Sequence, residues 1–114
     1  MLTIDIVADI VCPWCFIGKR RLETAVALVR QTRPDFTCRT RWLPFFLNPD
    51  TPPEGEPYLP FLEHKFGGRA PVDALFARVR EAGRAYGIDY AFEKISRRAN
   101  TLRAHRLIHW VQQR

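Results

Sequence analysis

Residues 6–26, "IVADIVCPWCFIGKRRLETAV", contain the point at which the apolar period of the chain changes. Upstream, Leu2, Ile4, Ile6, Ala8 and Ile10 recur with period two, and Val7 and Val11 make the opposite face apolar as well. That pattern predicts an interior strand covered on both sides. Downstream, Leu22, Ala25, Val26 and Val29 recur at i, i+3, i+4 and i+7, a helical stripe that ends near Thr32-Arg33-Pro34. Cys12-Pro13-Trp14-Cys15 stands between the two patterns. Pro13 has its φ already fixed and lacks only an N–H that a first helical turn leaves unused, so the helix should begin at the cysteine pair.

A second strand follows, with Phe36, Cys38, Thr40 and Trp42 on one face and Arg39 and Arg41 on the other. Strand, helix and strand at this crossover length predict a βαβ unit with parallel strands and a right-handed connection. The next stretch, "LPFFLNPDTPPEGEPYLP", holds six prolines and should be an irregular connection. Helices are expected at 58–66, closed by Gly67-Gly68, at 71–86, with Gly87 as C-cap, and at 101–113, with Asn100 as N-cap. The stripe of the second is Val72, Leu75, Phe76, Val79 and Tyr86; that of the last is Ala104, Leu107, Ile108 and Val111. "IDYAFEKI" (88–95) reads as an extended loop.

The totals narrow the function classes. A chain of 114 residues fits one domain or part of one. The net charge of +6 is spread along the chain, with "GKRR" and "SRRAN" as its tight clusters, and no nucleic-acid motif accompanies it. Solvated helix faces account for it, and no nucleic-acid partner is expected. No apolar run is long enough to span a bilayer, so no membrane is expected either. The apolar start carries Asp5 and Asp9 and lacks a basic leader and a cleavage site, unlike a signal peptide. A cytoplasmic location follows as the expectation, and there a CxxC pair is catalytic or metal-binding more often than a structural disulfide.

Zinc needs about four ligands. Cys12 and Cys15 form the one close pair, while Cys38, His64, His105 and His109 fall on separate elements, so no metal is expected. His105 and His109, spaced i, i+4, read as surface histidines. A redox reading has a positive argument. At a helix N-terminus, unpaired N–H groups and the helix dipole favour an anion, and thiols so placed fall to pKa values of roughly 3.5–7.5. Lys19, Arg20 and Arg21 add positive potential. Cys15, one turn on, should be the more buried and less acidic partner, able to close a ring with Cys12. Two cysteines that merely pack at a helix start remain the bland alternative. Cys38, on the apolar face of the second strand, reads as a small core residue.

"DIVCPWCFIGKRRLE" (9–23) resembles the CxxC segment of the thioredoxin-fold DsbA family, most closely its cytosolic FrnE-like branch of dithiol oxidoreductases. "RWLPFFLNPDTPPEG" (41–55) and "NTLRAHRLIHW" (100–110) continue the likeness. The resemblance implies an α/β chain: a thioredoxin-like βαβ half (1–45), a proline-rich connection (46–57) and an inserted α-helical domain (58–114), with the C-terminal part of the fold missing. It implies that Cys12 is the nucleophile and Cys15 the resolving thiol, with Pro13 and Trp14 completing the active-site loop. The cofactor is then the redox-active disulfide itself, and the substrate a disulfide-containing protein or small molecule. Relatives of the 2-hydroxychromene-2-carboxylate isomerase and kappa-class glutathione transferase group use glutathione and typically carry serine in place of Cys12. That reading stays open as a glutathione-dependent alternative, because Asn48, Asn100 and Thr101 fall in regions that line the cleft there. A truncated, non-catalytic interaction module is the third reading.

Two departures from the family pattern stand out. The buried acid that many thioredoxin-like proteins carry six residues before the first cysteine is Ile6 here, and Asp9, at the strand's end, is expected to cap the loop instead. The last proline is Pro71, so the cis-proline that faces the CxxC in the family is absent. Two parallel strands and one helix leave apolar faces uncovered, on Val7 and Val11 and on Phe36, Cys38 and Trp42. The expectation is a fragment or truncated product and a poor enzyme by itself, its missing strands supplied by further chain or by a second copy in a homodimer.

Overall fold

A computed structural model describes residues 1–114 of the chain. In chain order its elements are β1 (Leu2–Ala8), α1 (Pro13–Thr32), β2 (Cys38–Pro44), β3 (Glu56–Pro57), α2 (Tyr58–Phe66), α3 (Arg69–Arg84), a single 3₁₀ turn (Phe92–Lys94), β4 (Arg97–Arg98) and α4 (Leu102–Gln112). They form two compact units, Met1–Leu47 with Thr101–Arg114, and Asn48–Asn100. No helix is long and apolar enough to cross a membrane.

In the first unit β1 and β2 pair in parallel, from Leu2 opposite Cys38 to Ala8 opposite Pro44. This is the βαβ unit that the change of period predicts, with α1 as the crossover. Asp5 lies opposite Arg41 in that register, and the two close a bidentate ion pair at 2.8 and 2.9 Å. The guanidinium holds the Asp5 carboxyl below its ordinary value. Ile4 and Ile6 are half-buried and Ala8 and Ile17 buried, whereas Val7 on the other face is 61% exposed. The strand is therefore covered on one face, not both. The helical stripe is correspondingly shallow: Leu22 and Val26 are half-buried, and Ala25 and Val29 exposed. Phe36 lies in the turn before β2, its N–H donating to the Arg33 carbonyl, and Cys38 is half-buried at the strand's first position.

The second unit has an apolar core. Tyr58, Leu62, Val72, Phe76, Val79 and Phe92 are buried. Phe76 stacks between Tyr58 and Phe92, with ring centroids 6.2 and 4.3 Å away, and Tyr90 continues the stack at 5.0 Å from Phe92. Gly67 closes α2 with φ 90°, a left-handed conformation that glycine adopts without a Cβ clash. α3 ends two residues before the expected Tyr86, with Ala85 as C-cap and Gly87 in the turn beyond. The proline-rich stretch is not wholly irregular. Glu56 and Pro57 pair antiparallel with Arg98 and Arg97, a ladder too short to register in a sequence pattern.

The main correction concerns α4. The expected helical domain of 58–114 ends at Asn100, and α4 belongs with the strands. Its interior face is polar: Thr101, immediately before it, and His105 are buried, while Ala104, Leu107 and Val111 are exposed. Asn100 is not the N-cap. That position is Thr101, and the Asn100 side chain donates to the Thr51 carbonyl at 2.7 Å.

Candidate functional site

Cys12 occupies the N-cap of α1, with Pro13 as the first helical residue. Its backbone is extended (φ −94°, ψ 111°), its N–H donates to the Asp9 carbonyl at 3.3 Å, and its carbonyl accepts from the Phe16 N–H at 3.3 Å. The Cys12 Sγ accepts a hydrogen bond from the Cys15 N–H at 3.3 Å. Sulfur thus takes the place that a Ser or Asp oxygen fills at most helix starts, on one of the N–H groups the first turn leaves unpartnered. Both cysteines are free thiols and both are half-buried, so the expected contrast in burial is not seen; Trp14 is exposed beside them.

The expected acidic thiol is also corrected. Burial pushes the Cys12 thiol up to about 11, helped by the Cys15 sulfur and opposed by the N–H groups of Cys15 and Trp14. The physical reason is first the desolvation of the sulfur, which penalises the charged thiolate, and second the Cys15 thiol beside it. Two basic residues of α1 are engaged elsewhere, Lys19 with Glu23 and Arg20 over the Phe16 ring at 5.4 Å.

Asp9, three residues before Cys12, is the centre of a polar cluster that the sequence did not disclose. Its Oδ1 accepts from the Ile10 N–H at 2.8 Å and lies 3.0 Å from His105 Nε2, while its Oδ2 accepts from the Leu47 N–H at 2.9 Å. The Thr101 side chain bonds to it as well. Both side chains of the Asp9–His105 pair are 2% exposed. Burial alone would raise the Asp9 carboxyl, but the bonds from Leu47, His105, Thr101 and Ile10 outweigh it and hold the group below its ordinary value. The Trp42 indole N–H, which can only donate, points at His105 Nδ1 at 3.4 Å. That assigns the ring proton to Nε2, facing Asp9. The cluster therefore ties the end of β1, Trp42 of β2, Leu47 beyond it and α4 to the loop that presents Cys12. The expectation that Asp9 holds the loop agrees with this geometry; the reading of His105 as a surface residue does not.

Asn48 and Asn100 both serve the Thr51 turn, Asn48 Nδ2 donating to Thr51 Oγ1 at 2.9 Å and Asn100 to the Thr51 carbonyl. Thr101 is bonded to Asp9. His105 could have been suspected from its four-residue spacing to Thr101, a second helical stripe beside the apolar one. Its partner, 96 positions away, could not.

The sequence profile of the DSBA-like thioredoxin domain matches residues 3–114. The crystal structure of a probable DsbA oxidoreductase from Streptomyces coelicolor superposes with a TM-score of 0.80 at 28% identity, covering 99% of this chain and 47% of that one. The chain thus spans about half the length of that similar protein. No curated protein matches.

Proposed function

Since the chain belongs to the family of DSBA-like thioredoxin domains, we propose that it serves thiol–disulfide exchange, with Cys12 forming the mixed disulfide and Cys15 resolving it. The observation that supports this most is the Cys12 sulfur at the N-cap of α1, accepting the Cys15 N–H at 3.3 Å. A thiolate formed there meets a helix N-terminus. It attacks one sulfur of a substrate disulfide, and the substrate's other sulfur leaves as a thiolate that takes up a proton. The Cys15 thiolate then attacks the Cys12 sulfur, closing Cys12–Cys15 and releasing the second substrate thiol. Two electrons pass from the dithiol to the substrate, and the reverse sequence oxidises a substrate dithiol.

The raised Cys12 thiol gives this chemistry a pH signature. The Cys12 thiol is mostly protonated at neutral pH, so exchange should speed up as pH rises toward 11. The substrate is a disulfide of a protein or small molecule, and the setting is the cytoplasm. The test is reduction of insulin disulfides by the parent chain and by Cys12→Ser. Slow turnover in the parent and none in the variant is expected. Equal turnover in both, or isomerisation of a glutathione adduct with no net thiol change, would contradict the reading.

A further inference from the structure

The outer edge of β2 offers a second feature, on the side away from β1. In a parallel pair, alternate residues of a strand turn both main-chain groups toward the partner, and the residues between turn them away. The Phe45 N–H donates to the Ala8 carbonyl and the Thr37 carbonyl accepts from Leu2, so the odd-numbered positions face β1. Thr40 and Trp42 face outward. At Trp42 the outward groups are already taken by a side chain. Gln112 Oε1 accepts from the Trp42 N–H at 2.7 Å, and Gln112 Nε2 donates to the Trp42 carbonyl at 2.9 Å. A primary amide carries the same donor and acceptor as a peptide group, and here it stands where a neighbouring strand's peptide would. The outward N–H and C=O of Thr40, two residues back, have no such cover.

This edge opens into a cavity of about 610 Å³ whose lining includes Arg39, Thr40, Arg41, Trp42, His109 and Gln112 and no acidic side chain. Its charge is set by Arg39, exposed on the strand, and by Arg41, whose guanidinium is shared with Asp5. An extended chain laid along the edge would place alternate side chains against these cations. A second copy of β2 would bring Arg39 and Arg41 against their own kind, which like charges across a ladder disfavour.

We propose that the outer edge of β2 is a strand-addition site for an extended acidic peptide, with Gln112 as its removable plug. The inference does not depend on the activity proposed for Cys12 and Cys15.

The experiment is an NMR titration of the ¹⁵N-labelled chain with a capped peptide of alternating glutamate and valine, repeated with its lysine counterpart. Saturable shifts at the Thr40 and Trp42 amides are expected for the glutamate peptide only, weakening as salt is raised. Gln112→Ala, which frees the edge at all times, should bind about threefold tighter or better. Arg39→Glu should weaken binding about tenfold by reversing the steering charge. The proposal is overturned by the absence of saturable shifts at Thr40 and Trp42 in both the parent and Gln112→Ala. Equal affinity for the lysine peptide, shifts confined to α1, or self-association of Gln112→Ala through this edge would also overturn it.

Discussion

Residues Asn48–Asn100 and the unit formed by Met1–Leu47 with Thr101–Arg114 bury different chemistry. The former closes on an apolar set with three rings in register, Tyr58, Phe76 and Phe92, and buries Thr51 and Arg98 beside it. The latter buries Ala8 and Ile17 together with Asp9, Thr101 and His105, and leaves Val7, Leu107 and Val111 more than half exposed. Apolar burial is non-directional and tolerates small displacements of its parts. A buried carboxylate with four donors does not, because each bond has a length and an angle to satisfy. In the unit that carries the cysteines, those directional bonds converge on Asp9 and fix the loop from Asp9 to Cys12.

The comparison can be broken from either side. Phe76→Ala should be the most damaging single change, removing the middle ring of the stack at a cost of about 4 kcal/mol, read from urea unfolding. That loss should not vary between acidic and neutral pH, since the titrating group stacked on the ring, the Tyr58 phenol, is held by burial above its ordinary value of 10. His105→Leu keeps the volume and strips Asp9 of one donor inside the protein, which should cost about 2 kcal/mol, the scale of a hydrogen bond to a charged group. A loss below 1 kcal/mol would mean that the pair does not hold this unit together.

Acid sharpens the same contrast. The Asp9 carboxyl is depressed in the folded chain, so its contribution is fully present above the carboxylate's unfolded pKa and is lost as pH falls through the folded value. Stability of the parent should therefore decline on acidification below about pH 4, and Asp9→Asn should flatten that decline. An unchanged slope in Asp9→Asn would assign the acid sensitivity to other carboxylates. The smallest effect is expected at Gly18, where an added Cβ meets nothing within 4 Å. Gly18→Ala in the middle of α1 should be neutral or stabilise by up to about 1 kcal/mol, by helix propensity alone. A clear destabilisation in thermal melts would reveal packing on that face that the chain's own atoms do not supply.

Periodicity made the elements with long, regular patterns legible. β1, α1, β2 and α2 lie within a few residues of their expected bounds, because a stripe of four or five apolar positions leaves little choice of conformation. The CPWC junction was legible for the same reason, as a proline and a change of period between two such patterns. What escaped was everything set by partners far apart in sequence. The Glu56–Arg98 ladder is two residues long and includes a proline, below any pattern threshold. α4 reads as an apolar helix by its Leu107–Val111 stripe, yet its buried face is chosen by His105 finding Asp9 and by Gln112 finding the Trp42 backbone. The Cys12 thiol stands above the expected range because helix position and the CxxC spacing are visible in sequence, whereas the burial of the sulfur is not.

The most direct test of the account is to treat Cys15→Ser with a small aromatic disulfide at pH 8.5 and to locate the adduct by peptide mass spectrometry. The account predicts one stable mixed disulfide, at Cys12, in the variant. In the parent the same adduct should be transient and give way to a Cys12–Cys15 disulfide. Equal labelling of Cys12 and Cys38 in the folded variant, or an adduct at Cys12 that persists in the parent, would contradict the assignment of attacking and resolving thiols.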